Sequence, residues 1–399
     1  MFKHLFKLIW NKKKQNFLLM TEMFVSFIVM FAVFTLMVYY YSNYKQPTGF
    51  DYDNVWVVNY RPPENISSAD SVRLFHETLR RMLTSMPQIQ AVGFTSPNVP
   101  FSMSTMNTGI IYEDRPHVHA NVYNAETSYK DVLNFKMLEG RWFNDADNVR
   151  GKYRPVVINE KLKEELFGKE NPVGKILSQE QYDDTKPQDV FRVIGVAGNM
   201  KDKGDYQSIE PGLFTTMDTG SMRWNENILL KVKPGTDAAF EAGLFKSLSN
   251  ATGSSIEIEH LDKKLVTKNK VMIVPLIVTL IVVGFLIINV ALGLFGVLWY
   301  NINKRRGEIG LRRAVGATGS SVSKQLVGEA MVLSTFALIV GSFFAVQFPL
   351  LNVFDLPASV YISALILAVL FVYVLVILCA LYPGKQAAAI YPAVALHEE

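Results

Sequence analysis

Four stretches of the chain are predominantly apolar: Phe17–Tyr41, Val271–Tyr300, Leu326–Leu350 and Ala358–Tyr382. A helix needs roughly 20 mostly apolar residues to cross the hydrocarbon core of a bilayer, so each stretch predicts a transmembrane helix. None keeps a polar face, as a buried helix at the rim of a soluble core would. Glu22 stands near the start of the first stretch and Glu329 in the first turn of the third, while the second and fourth carry no charge.

Between the first two spans the pattern changes. Val55–Tyr60 reads as a strand. Ser71–Leu83 places Val72, Phe75, Leu79, Met82 and Leu83 at helical spacing, and Ile89–Phe94 reads as a second strand. The order returns near the far end. Ile228–Val232 is a strand and Asp237–Leu248 a helix through Phe240, Leu244, Phe245 and Leu248. In Ser255–Leu261, Ile256 and Ile258 alternate with Glu257 and Glu259. Two β-α-β units, about 52–94 and 228–261, predict one small α+β subdomain assembled from both ends of the region 42–270. The stretch between them, about 95–227, has more short strands, Pro and Gly and predicts an inserted second subdomain. Gln179–Gln188 has no periodicity and reads as a mobile loop.

Composition agrees: 49% of residues are hydrophobic and the mean hydropathy is positive. The single cysteine, Cys379, lies in the fourth span. No intramolecular disulfide can form, so the domain between the first two spans must be held by its own core. The first span is too long for a signal peptide. It ends in Tyr39-Tyr40-Tyr41-Ser42 with no small-residue cleavage pattern, and so predicts an uncleaved anchor.

Charge orients the spans. Lys3, Lys7, Lys12, Lys13 and Lys14 precede the first, in a segment 1–16 read as a cytoplasmic amphipathic N-terminus. Lys304, Arg305, Arg306, Arg312, Arg313 and Lys324 lie in the loop 301–325, and Lys385 follows the fourth span, in the tail 383–399. Basic residues collect on the cytoplasmic side, which places both termini and this loop inside and region 42–270 outside. Lys263, Lys264, Lys268 and Lys270 then fall on the outer side. Leu261–Lys270 reads as the second helix continuing out of the bilayer as a stalk, matched by an extension of the first span through Tyr44. The predicted fold class is an α-helical membrane protein with four transmembrane helices and a large α+β periplasmic domain inserted between helices 1 and 2.

The loop 301–325 is the most informative segment. Glu308, Ile309, Gly310, Leu311, Arg312, Arg313 and Ala314 form a short helix with a carboxylate at its start and arginines at its end, complementing the helix dipole. Glu308 and Arg312 are four apart and can pair. Gly316 is placed to end the helix, and Thr318 or Ser320 to cap the next. Ile309, Leu311, Ala314 and Val315 give it apolar surface that calls for a protein partner. Headgroup anchoring by the arginines alone would not need Glu308 or the glycines.

This segment closely resembles the cytoplasmic loop of FtsX-like permease domains in the MacB and FtsX families of ABC transporters. Glu308 to Ala314, Gly316 and Ala317 match the motif, and Glu329 matches a glutamate that the family has in its third span. Tyr382-Pro383-Gly384-Lys385-Gln386-Ala387-Ala388 and Pro392-Ala393-Val394-Ala395-Leu396 are similar to the closing segment, departing from it at Gly384, Ile390 and Tyr391. Leu138–Phe143, Val156–Glu160, Leu166–Gly168, Pro172–Lys175 and Phe191–Val196 resemble successive landmarks of the MacB-like periplasmic core domain. Their own roles are those of ordinary strands and turns.

The resemblance implies a permease subunit in the bacterial inner membrane. Its loop would be a coupling helix seated on a separate cytoplasmic ABC ATPase, which binds ATP and magnesium. It implies a dimer with a second copy or a paralogue. In the MacB branch it also implies a periplasmic adaptor and an outer-membrane channel, and in another branch lipoprotein release. The stalks, here Leu261, Lys264, Lys268, Lys270 and Tyr44, would carry motion to the periplasmic domain, and Arg312 and Arg313 to Glu would uncouple the ATPase. The alternative, seen in FtsX itself, is a signal transducer that transports nothing and activates a periplasmic partner such as a cell-wall hydrolase.

No nucleotide site, metal site or nucleic-acid partner is expected on this chain. Gly168–Ile176 has one residue too many for a phosphate loop, and Ile176 where Ser or Thr must ligate magnesium. His117 and His119 share a strand face but lack further ligands. Glu22 and Glu329, as ionisable groups inside spans, are candidates for function. Their nearness to the cytoplasmic interface favours snorkelling or pairing with basic loop residues.

Overall fold

The computed structural model describes residues 13–63, 66, 68–148, 151–180, 189–217, 222 and 227–389. Most of the N-terminal segment 1–16, the loop residues 181–188 and the closing run Pro392–Leu396 lie outside the described residues. The chain divides into two compact units, one of Met1–Ser42 with Val274–Glu399 and one of Asn43–Ile273. Helix α1 (Lys13–Tyr44) opens the described chain.

The second unit is built on one 11-stranded sheet. It starts with β1 (Val55–Asn59), α2 (Ala69–Thr84) and β2 (Ile89–Pro97). There follow β3 (Asn107–Ile111), β4 (Val118–Ala125), α3 (Tyr129–Leu133) and β5 (Met137–Gly140), then β6 (Arg154–Asn159), α4 (Glu160–Phe167), β7 (Ile176–Gln179), β8 (Val190–Ala197) and β9 (Gly212–Thr216). It closes with β10 (Asn227–Val232), α5 (Ala238–Thr252) and β11 (Glu257–His260). The outer strands lie antiparallel in the order β11-β1-β10-β2. This is the split arrangement of two interleaved β-α-β units.

Local chemistry starts the two helices. The Ser68 side chain accepts the Ser71 N–H at 3.2 Å, and Asp237 accepts the Phe240 N–H at 3.0 Å, each satisfying a donor the helix start leaves open. Both helices pack on one face of the sheet, where Leu79, Leu83, Leu244 and Leu248 meet Trp56, Val58, Phe94, Ile228 and Leu230. Val55, Val57 and Leu229 point to the opposite face, against Tyr129, Phe135 and Phe214. Successive side chains of a strand alternate in direction, so a strand covered on both faces reads as the unbroken apolar runs Val55–Val58 and Ile228–Leu230. The last strand is shorter than the Ser255–Leu261 pattern predicts: it ends at His260, and Leu261 already begins the next helix.

The remaining strands curl. β4-β3-β7-β8-β6-β9 pair in turn, and a parallel pairing of β9 with β4 returns to the start, giving a closed ring. Asn159 fixes one corner of it. Its Oδ1 accepts the Leu162 and Gly212 N–H groups, both at 2.9 Å, and its Nδ2 donates to Glu210 O at 2.8 Å. One side chain thus caps α4 and holds the start of β9.

Helix α6 (Leu261–Lys304) begins in the second unit and passes into the first at Val274, where α7 (Arg306–Ala314), α8 (Gly319–Leu350) and α9 (Ala358–Ala388) follow. Among the described residues four helices, α1, α6, α8 and α9, are long and apolar enough to cross a membrane. They run beyond the apolar stretches read from the sequence, because a helix ends at a cap and not where hydropathy falls. Contacts between spans use small residues, which let backbones approach. Ala364, Ala368 and Ala380 of α9 and Ala330, Ala337 and Ala345 of α8 are buried in the shared core. Gly341 of α8 leaves space filled by the Phe27 ring of α1, where any Cβ would collide.

Candidate functional site

Helix α7 follows α6 after a single residue, Arg305, whose backbone (φ −107°, ψ 16°) breaks the helix. Arg305 is also the hub of a closed polar network. Its guanidinium bonds Glu308 through Nε at 3.0 Å and Glu329 through Nη1 at 2.7 Å. Arg312 bonds Glu308 at 2.5 Å and Gln325 at 2.9 Å, and Gln325 donates to Glu329 at 3.1 Å. Burial disfavours the Arg305 charge, yet the hydrogen bonds it donates to Glu308 and Glu329 outweigh it and hold its pKa above the ordinary value. Charge-assisted bonds of this kind are about twice as strong as neutral ones.

A second fastening joins α7 to α9. Arg313 Nη1 donates to Ala388 O, the last residue of α9, where a cation complements the helix dipole. Gly319 makes the room: a Cβ there would stand 2.7 Å from Arg313 Nη1 and 2.9 Å from Ala388 O. Under both fastenings Ile309 is buried against Ile302, Val322 and Ala387. Gly316, at φ +107°, turns the chain, and Thr318, not Ser320, caps α8 by accepting the Ser321 N–H at 3.2 Å.

These contacts change the reading of the predicted residues. Ile309 and Gly310 face inward and add no outer surface. Arg312 and Arg313 are engaged within the chain, so reversing their charge would loosen α7 itself. Glu329 does not lie in the first turn of its helix, because α8 begins at Gly319 and carries it two turns deeper. There it pairs with Arg305. Beside the exposed Glu308, the outward surface of α7 and its C-cap carries an apolar patch: Leu311, Ala314 and Val315 are exposed, Val315 at 83%, and Ala317 is partly covered. Arg305 and Gln325 were not singled out from sequence, since nothing in a basic run marks which member will turn inward.

The predicted stalk residues are placed within the second unit. Leu261 and Leu265 are part of its core. Lys264 pairs with Glu259, and Lys268 is buried, donating to Ser102 O at 2.6 Å. Lys270 is exposed. Tyr44 stacks on Tyr206 with ring centroids 5.7 Å apart. The loop 200–207 grips both helix ends. Lys201 Nζ donates to Asn43 O, and Asn43 Nδ2 donates to Tyr206 O at 3.1 Å. Asn269 Nδ2 donates to Asp205 Oδ2 at 2.7 Å, and Asp205 N donates back to Asn269 Oδ1 at 3.0 Å. Lys201 was invisible as a site because Lys201-Asp202-Lys203 looks like a solvated charge run, yet all three are buried.

Glu22 lies between α1 and α6 with its carboxylate against Gly293. Among the described residues no group of three His, Cys, Asp or Glu side chains is placed to hold a metal ion. His117 and His119 meet edge to face with ring centroids 5.0 Å apart, and Glu180 lies 3.8 Å from His117.

Residues 22–244 match the MacB-like periplasmic core domain, and residues 280–392 match the FtsX-like permease C-terminal domain. The chain is 23% identical over 225 residues to an uncharacterized ABC transporter permease, YknZ, of Bacillus subtilis, covering 56% of this chain and 55% of that protein. It is 24% identical over 308 residues to the macrolide export ATP-binding/permease protein MacB of Neisseria gonorrhoeae, covering 74% of this chain and 46% of that protein. The matches therefore span about half the length of these relatives. The periplasmic region of MacB from Actinobacillus actinomycetemcomitans superposes with a TM-score of 0.38 at 19% identity, covering 56% of this chain and 95% of that one. With a core-domain match running over more than half its residues and a permease match following it, the chain belongs to the MacB/FtsX-like family of ABC transporter permeases.

Proposed function

We propose that the chain is the membrane subunit through which separate ABC ATPase subunits drive a mechanical cycle, and that the cycle moves onward a substrate already in the periplasm or the outer leaflet. ATP and magnesium are held by the partner ATPase. The chain works in the bacterial inner membrane, with its large domain in the periplasm, as a dimer with a second copy or a paralogue. A periplasmic adaptor and an outer-membrane channel complete the export route.

One observation carries this reading: α7 is fastened to two membrane helices while its outward surface carries an apolar patch. The Arg305 network ties it to α8, Arg313 ties it to α9, and α6 leads directly into it. A load on Leu311, Ala314 and Val315 is therefore shared by the helix ends instead of flexing a loop. Helix α6 supports the second half of the argument. It is 44 residues long, about 66 Å at 1.5 Å per residue, and its first turn puts Leu261 in a core with Leu265.

The test uses Leu311→Glu combined with Val315→Glu, which leaves every fastening residue in place. The full chain, purified from its native membrane, should lose the co-purifying ATP-hydrolysing subunit and its substrate-stimulated turnover while remaining inserted and monodisperse. Undiminished association and turnover would refute the coupling role of α7.

A further inference from the structure

Helices α1, α6 and α9 line a half-open pocket of about 480 Å³ within the membrane unit, a size suited to a small organic ligand. Its walls are almost wholly apolar, with Met30, Leu286, Val290, Phe371 and Leu375 among them. The hydroxyls of Thr21 and Ser26 at its edge are spent on the backbone of their own helix, donating to Phe17 O and Glu22 O. Glu22 is the one charged side chain among the residues lining it.

Two features single out this carboxylate. The first is its place: the carboxylate lies directly against Gly293 of α6, where a Cβ would stand 1.9 Å from Glu22 Oε1 and oblige the group to swing aside. The second is the want of a counter-charge. No hydrogen bond or ion pair to the Glu22 carboxylate is present among the described residues. Glu329 differs, since Arg305 neutralises it at 2.7 Å. An ionised carboxylate facing apolar walls is costly unless it is paired or protonated.

We infer that the pocket binds an amphipathic organic monocation, with the charge on the Glu22 carboxylate and the apolar body against the walls from α6 and α9. Cations beside aromatic rings gain further attraction, and Phe371 is among the lining residues. The site is lateral and intramembrane, apart from the α7 surface, and does not depend on the coupling role of that surface.

The test measures binding of radiolabelled tetraphenylphosphonium to the full chain alone in phosphatidylcholine nanodiscs, without any ATPase. Triphenylphosphine oxide serves as the neutral counterpart. Saturable cation binding is expected. Glu22→Gln should weaken it at least tenfold and leave the neutral probe within twofold. Phe371→Trp, which fills the pocket, should weaken both probes. Absence of saturable cation binding, which would mean that a proton alone neutralises Glu22, overturns the inference. So does equal binding by wild type and Glu22→Gln, or an equal loss for both probes in Glu22→Gln. Because no ATPase is present, failure here leaves the Leu311 and Val315 test untouched.

Discussion

Lys201 offers a direct measure of how firmly the second unit grips the end of α1. Its side chain is 2% exposed, and its ammonium donates to Asn43 O and, at 3.4 Å, to Gln46 O. Both carbonyls lie at the C-terminal end of α1, where a positive charge is favoured. Burial pushes the Lys201 pKa down, with Asp205 opposing, so holding the charge there has a cost. Lys201→Met keeps most of the apolar stem and removes the charge. A hydrogen bond from a charged group contributes about 1.5–3 kcal/mol, and relief of ammonium desolvation returns part of it. A net loss of about 1.5 kcal/mol corresponds to roughly tenfold faster local opening. Asn43 Nδ2 still donates to Tyr206 O, so the loop should loosen without the unit unfolding. Deuterium uptake by the full chain in nanodiscs, read peptide by peptide, should rise about tenfold in residues 43–48 and 200–207. Peptides from β1 and β10 should be unchanged. Slower uptake at the loop would mean that desolvation outweighs the bond. Uniformly faster uptake would mean that Lys201 supports the whole unit and does not act as a local clamp. Either result refutes the reasoning.

Two further outcomes follow from buried groups in the same unit. His76 is buried, with Nε2 2.9 Å from Tyr60 Oη and Nδ1 2.8 Å from Val72 O. Burial holds its pKa below the ordinary value, opposed by the Val72 bond and Glu126 and assisted by Arg80. The folded state therefore resists a proton that the unfolded chain accepts near pH 6.5. Stability is full above that pH and should fall below it, by up to about 1.4 kcal/mol per pH unit, until the lowered folded pKa is reached. Melting of the full chain between pH 8 and 5 should show this slope, and His76→Gln should flatten it. Tyr129 buries its hydroxyl with no hydrogen-bond partner among the described residues. Tyr129→Phe should be neutral or raise the melting temperature, by about 1 kcal/mol of stability, and a clear loss would reveal a partner for that hydroxyl.

The parts of the fold legible in the sequence are those written in short-range periodicity. Val72, Leu79 and Leu83 mark α2 because they share one helical face, and Ser68 and Asp237 mark helix starts because a cap needs an oxygen there. The apolar spans need only length and composition. The ring closure of the sheet could not be read, because it depends on Asn121–Ala125 lying beside Gly212–Thr216, and no local pattern encodes a pairing so distant in sequence. The candidate site was legible in type but not in direction. The segment Glu308–Ala317 stood out as a helix with partner-seeking surface, but which residues seek the partner depends on what packs behind it. Ile309 turned inward because Val322 and Ala387 offer it a core. Arg312 and Arg313 turned inward because Gln325 and Ala388 O offer them acceptors. The depth of Glu329 is not legible either, because hydropathy starts the third span at Leu326 while Thr318 starts that helix earlier.

The ring of strands bears on how other proteins can take hold of the second unit. A sheet that closes on itself leaves no row of vacant backbone donors and acceptors along the ring. Outside it, the edge strands β5 and β11 are each four residues long, and β11 carries Glu257 and Glu259, features that discourage edge-to-edge pairing. A visiting chain is thus denied the commonest backbone-led handhold, the addition of one more strand. Recognition must fall to side chains on loops and helices, which can diverge between relatives while the scaffold beneath them stays the same.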